Sequence, residues 1–229
     1  STLLSDNNTF SGLNTFSQYL NLNPNLSASS TVFNVSGRNF LTASTTGFST
    51  GLGFDALTNV TSGSNNTAFG YQALRTATSG SYNTAIGSLA LASTRGNYNT
   101  ALGSLALNAN SYGEDNVAIG LQTLSGNTTG KQNTAVGSLA LLSGALGVNS
   151  TAVGYSAGAS VPSGVDSVYI GAYAGTPKNG AWVGTGSNNI AIGFGAYLME
   201  NNNGSNQLSI GNLLFGTLPA TSTVTNVAT

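Results

Sequence analysis

The chain has no cysteine and no histidine, and its 229 residues carry only five basic and six acidic side chains. Without cysteine there is no disulfide framework, no zinc-thiolate site and no redox thiol. Without histidine, no serine has the usual partner to take its proton. A net charge of −1 gives no reason to expect nucleic acid or an anionic membrane as a partner. No apolar run approaches the length needed to cross a bilayer, so no membrane insertion is expected. The opening Ser-Thr-Leu-Leu-Ser-Asp lacks a basic segment, so no signal peptide is expected either. Solubility must rest on Asn, Ser, Thr and Gly.

What the chain does have is one phrase written about ten times. Copies read NTAIGSLAL (83–91), NTALGSLAL (99–107), NVAIGLQTL (116–124) and NTAVGSLAL (133–141), with looser versions before and after. The pivotal glycines are Gly53, Gly70, Gly87, Gly103, Gly120, Gly137, Gly154, Gly171, Gly193 and Gly211. They stand 16 to 18 residues apart except for one step of 22. Such a period predicts an all-β, repetitive parallel β-roll or β-solenoid of about ten coils of 16–17 residues. Each coil is expected to hold two short strands, Asn83–Ile86 and Ser88–Leu91 in one copy, with Gly87 allowing a bend or a close backbone approach between them. A helix would fill most of the period, and Gly with β-branched Thr opposes one.

The lack of charge fits such a stack. Equivalent residues of neighbouring coils lie about 4.8 Å apart. Like charges at that spacing repel by roughly 1 kcal/mol even in water. Asn, Ser and Thr ladder without that cost, and Asn can bond to its own equivalent.

Three segments are expected. Residues 1–50 form an extended β-rich cap or strand-exchange arm, with strands at 31–36 and 19–22 around Pro24. Residues 51–215 form the array, and 216–229 an extended tail. The 22-residue step, across 172–192, reads as an inserted loop holding the single tryptophan, Trp182, the first choice for a surface-binding residue.

Alternation along the first strand gives two columns. Ile86, Leu102, Ile119, Val136, Val153, Ile170 and Ile192 form a large apolar one, and Ala85, Ala101, Ala118, Ala135 and Ala152 a small one on the opposite side. The large column, with the leucines of the second strand, is expected to supply the apolar burial. With both faces apolar, several chains are expected to share a core, the Ala rows permitting close approach. The alternative is a monomeric solenoid with an Ala-rich outer face.

The segments Asn116-Val117-Ala118-Ile119-Gly120 and Asn83-Thr84-Ala85-Ile86-Gly87 resemble the head repeats of trimeric autotransporter adhesins, over about 160 residues. The resemblance implies a left-handed β-roll with three chains around one axis. The repeats are also similar to those of phage tail fibres and bacterial surface fibres. Asn8-Thr9-Phe10-Ser11 and its echo Asn14-Thr15-Phe16-Ser17 are similar to viral fibre shafts.

The search for chemistry yields lures that the repeat explains. Gly154-Tyr155-Ser156-Ala157-Gly158 has the spacing of a nucleophile elbow, but it lies in the register of the repeat. Gly51-Leu52-Gly53 imitates a dinucleotide loop with no strand-helix-strand unit around it. Glu114-Asp115 is the only adjacent acidic pair and reads as a solvated turn. A Thr column (Thr67, Thr84, Thr100, Thr134, Thr151) raises ice binding, but Val117 interrupts it and no second Thr rank flanks it. Catalytic, cofactor and metal residues are therefore expected to be absent. The expected function is a non-enzymatic structural or adhesive component of an extracellular fibre or filament, at a cell or virion surface. Its expected partner is itself, as a homotrimer, with end-to-end joining through residues 1–50. A phage or virus tail-fibre segment is the alternative, and an ice-binding solenoid a lesser one.

Overall fold

The structure, a computed structural model, describes residues 30–35, 38–44, 47–144, 146–176, 186–198, 204–211 and 214–217. Among these there is no helix, and thirteen strands form one sheet in sequence order. β1 (Ser30–Val35) and β2 (Arg38–Ser44) make an antiparallel hairpin, and β2 pairs antiparallel with β3 (Ser49–Leu52). From β3 to β12 every pairing is parallel and joins successive coils. The strands are β4 (Thr67–Phe69), β5 (Thr84–Ile86), β6 (Thr100–Leu102), β7 (Val117–Ile119) and β8 (Thr134–Val136). They continue as β9 (Thr151–Val153), β10 (Val168–Ile170), β11 (Ile190–Ile192) and β12 (Gln207–Ile210). β13 (Leu214–Thr217) then turns back antiparallel on β12 and ends the stack.

The fold is thus a parallel β-solenoid of about nine turns. The tenth glycine, Gly211, does not open another coil, because the chain reverses into β13 directly after it. The strand expected at 31–36 is present as β1, and the hairpin pairs with the first coil of its own chain. The strand expected at 19–22, the Asn-Thr-Phe-Ser echo, Trp182 and residues 218–229 lie outside the described residues.

Each coil holds one three-residue strand rather than two of four or five. The segment after the glycine, expected to be a second strand, is a turn instead. Its first and third residues after the Ser, such as Leu89 (φ 58°) and Leu91 (φ 45°), are left-handed, and Leu105, Leu107, Leu139 and Leu141 repeat this. A left-handed non-glycine residue costs about 1–2 kcal/mol. Two gains oppose that cost. The second leucine of each pair is buried, worth about 1.5–3 kcal/mol. Its N–H also donates to the next coil, as from Leu91 to the Ala106 carbonyl at 3.0 Å and from Leu124 to Ala140 at 3.0 Å. The turn wall is therefore hydrogen-bonded from coil to coil like the strand wall, which leaves few backbone polar groups unpaired.

The glycine column answers to space as well as conformation. Gly87 sits at φ 136°, and a Cβ there would stand 2.5 Å from the carbonyl oxygen of Gly103 on the next coil. A side chain would push the coils apart.

Burial reverses the expected inside and outside. Ala68, Ala85, Ala101, Ala118, Ala135 and Ala152 are fully buried inside the coil, facing the leucines of the turn wall. The residues on either side of each Ala point outward, so Ile86, Leu102, Val153 and Ile170 are about two-fifths exposed. The Ala row is core rather than a contact surface between chains, and the large column is only partly buried within one chain. The lumen of a 17-residue coil is too thin for large side chains from both walls. One wall supplies Leu, and the strand wall can then supply only a methyl group.

Candidate functional site

Two constellations run the length of the array, one inside and one outside. Inside, the residue before each strand is a buried polar group: Asn66, Asn83, Asn99, Asn116, Asn133, then Ser150, Ser167 and Asn189. The Asn116 Oδ1 accepts from the Asn133 backbone N–H and from its Nδ2, both at 3.1 Å. The Asn116 Nδ2 donates to Asn99 Oδ1 at 3.1 Å and to the Gly130 carbonyl at 2.8 Å. The same pattern links Asn83 to Asn99 and Asn133 to Ser150. This ladder satisfies the N–H of the residue that precedes each strand and the facing glycine carbonyl, which the narrow interior hides from water. The sequence implied that Asn would ladder; only the structure shows the ladder to be internal.

One coil departs from the rest. Tyr169 occupies the inward position held by Ala in β4–β9 and β11 and is fully buried. Gly158 and Gly175 stand where the preceding coils have the inward Leu, as at Leu124 and Leu141. A Cβ at Gly158 would lie 2.7 Å from Tyr169 Cδ2, and one at Gly175 would overlap the other edge of the ring. The ring thus fills the volume of two absent leucines. Burial pushes the Tyr169 phenol above its ordinary range.

Outside, the large column (Phe69, Ile86, Leu102, Ile119, Val136, Val153, Ile170, Ile192 and Ile210) runs beside a second apolar stripe just beyond the glycines. Tyr71, Leu121, Tyr155, Tyr173 and Phe194 are its most exposed members. Their rings meet along the stack: Tyr155 to Tyr173 at 5.2 Å and Tyr173 to Phe194 at 6.1 Å, both edge to face. The predicted structural residues therefore lie where the repeat placed them, with Gly70, Gly87, Gly103, Gly120, Gly137, Gly154, Gly171 and Gly193 as the seam between two exposed apolar columns.

Charged side chains stand apart from this face or are neutralised at its end. Glu114 is held by Lys131 Nζ at 2.7 Å and by Asn97 Nδ2 at 3.3 Å, and the lysine keeps its carboxyl below the usual range. Asp55, whose carboxyl is likewise lowered, pairs with Arg38, whose guanidinium also covers the Phe54 and Tyr71 rings. Ser156 sits in the left-handed turn, and its N–H donates to the Ser138 carbonyl at 2.9 Å, as the repeat demands. Thr67, Thr84, Thr100 and Thr151 lie on the outer side of the strand, half-buried beside the large column. A shallow groove lined by Thr76, Ser93, Thr94, Arg95 and Ser111 is the other surface concavity of note. Compared with known protein families, curated proteins and solved structures, the chain shows no match.

Proposed function

We propose that this chain is a non-enzymatic structural and adhesive segment of an extracellular fibre, in which three copies pack their exposed apolar faces around a common axis. The observation that carries the reading is the outer face itself. Nine coils at about 4.8 Å make a stripe about 40 Å long. Two partly exposed large side chains per coil, each of roughly 150–200 Å², leave on the order of 1,000 Å² of apolar surface. The largest apolar patch on an ordinary monomer is about 300–600 Å². A standard specific interface takes about 800 Å² per partner, so the stripe is large enough for one. The resemblance to trimeric autotransporter head repeats supports the number three and a cell-surface location. A tail-fibre segment of a phage or virus shares this architecture, and the Asn-Thr-Phe-Ser echo favours it as the second reading.

The stacked hydrogen bonds of both walls suit a stiff, protease-resistant rod, whose length is set by the number of coils. Sedimentation equilibrium of the full chain tests the proposal. The wild type is expected to sediment as three chains. An Ile86→Asp/Ile119→Asp variant, altered only on the outer face, is expected to sediment as one chain with its β-sheet circular dichroism retained. A monomeric wild type defeats the reading.

A further inference from the structure

The stripe beyond the glycines is not a simple column, because the large side chain moves between two positions. Phe54, Tyr71, Leu121, Tyr155 and Phe194 follow their glycine directly, and the next residue in each case is small or polar: Asp55, Gln72, Gln122, Ser156 and Gly195. In the four other coils the order is exchanged, giving Ser88-Leu89, Ser104-Leu105, Ser138-Leu139 and Ala172-Tyr173. Every one of the nine coils thus has one large apolar residue and one small or polar residue at these two positions, never two of either. Both positions feed one surface. Tyr155 from the first and Tyr173 from the second touch edge to face at 5.2 Å, and Tyr173 meets Phe194 in the same way.

We propose that this exchange is a register key for a second copy of the same chain, which docks parallel and coil for coil, its first position against the neighbour's second. The inference rests on the self-assembly proposed above and specifies its geometry. In such a contact each coil of one copy meets the identical coil of the next, so a large apolar residue always faces a small or polar one. Displacement by one coil would set two large residues against each other at some levels and two small ones at others. The order along the stack is first, first, second, second, first, second, first, second, first. No shift along the axis reproduces it over all nine coils. Backbone and Ala core are nearly the same in every coil and cannot distinguish one register from another, whereas this sequence of large and small residues can. The contact joins two different columns, so it is heterologous, and a heterologous contact closes into a ring of identical copies when its rotation allows.

Because every copy carries the same change, an exchange within one coil compensates itself. The residues needed are already found at these positions: Leu121 follows its glycine directly, and Ser156 holds the left-handed second position at φ 52°. The test compares Ser88→Leu, Leu89→Ser and the double variant, with Leu121→Gln/Gln122→Leu as an independent exchange running the other way. Each single change is expected to weaken assembly about tenfold or more, through two large residues or none at that level. Each double variant alone should assemble within about threefold of wild type. A variant exchanged at coils 88–89, 104–105 and 138–139 together is then refolded with wild type and weighed by native mass spectrometry. Mixed assemblies should be depleted about tenfold below statistical mixing. Statistical mixing, or double variants as weak as the singles, overturns the register key while leaving self-assembly intact. A monomeric wild type overturns both.

Discussion

The coil built around Tyr169 offers a quantitative test of how this solenoid fills its interior. Tyr169→Ala would restore the residue found at the inward position of its neighbours, yet it should be strongly destabilising, because Gly158 and Gly175 provide no leucine to fill the space. A fully buried tyrosine of about 200 Å² sets an upper bound of about 5 kcal/mol. Comparable truncations of buried aromatics cost about 3–5 kcal/mol. Gly158→Leu alone places its Cβ 2.7 Å from the tyrosine ring and 2.8 Å from Leu141 Cδ2. Such overpacking costs about 1–3 kcal/mol. Combined, the changes should cancel. Leucine is at home in this left-handed position, as Leu124 at φ 51° and Leu141 at φ 46° show, so the conformation of Gly158 at φ 60° accepts it. Two buried leucines contribute about 1.5–3 kcal/mol each. The triple variant Tyr169→Ala/Gly158→Leu/Gly175→Leu should therefore recover to within about 2 kcal/mol of wild type, with a coupling of about 3 kcal/mol. Guanidinium unfolding at one fixed protein concentration, with the slope monitored alongside the midpoint, measures this. A triple variant no more stable than Tyr169→Ala would refute the idea that the ring replaces two leucines.

Two further outcomes follow from the buried polar groups. Asn116→Ala should cost about 1–3 kcal/mol, since it strips the acceptor from the Asn133 N–H and leaves the Gly130 carbonyl to Asn127 Nδ2 alone; Asn116→Ser, the residue found at 150 and 167, should cost less, and equal midpoints in denaturant would contradict the ladder's role. Tyr169, with its phenol raised by burial, should stay protonated through the ordinary tyrosine range. The protonated form is the one the fold favours, so its contribution to stability is complete below the ordinary tyrosine range and is lost as pH rises from there towards the raised value. An ultraviolet titration that shows Tyr169→Phe losing a phenol that ionises in the ordinary range, with the fold intact, would contradict this.

Much of this could be read from the phrase alone. The period placed the strands to within a residue, and the glycine column announced close backbone approach, which the Gly87 and Gly103 contact bears out. The second strand was not legible. Ser-Leu-Ala-Leu alternates as a strand would, and nothing in that alternation signals that two of its four residues adopt left-handed angles. The compensation at Tyr169 was equally hidden, because Gly158 and Tyr169 belong to different coils and meet only when the coils stack.

Period-2 alternation by itself determined that Ala and Ile face opposite ways, and the repeat determined that each forms an unbroken column. Which column is the interior was decided only by the tertiary structure. Hydrophobicity favours burying the larger residue, but the bend at each glycine and the left-handed turn after it close the coil on the Ala side. Inside so narrow a coil, the leucines of one wall leave room for no more than a methyl group from the other. The isoleucines are therefore set outside, with Ile86 and Ile170 about two-fifths exposed on the single chain.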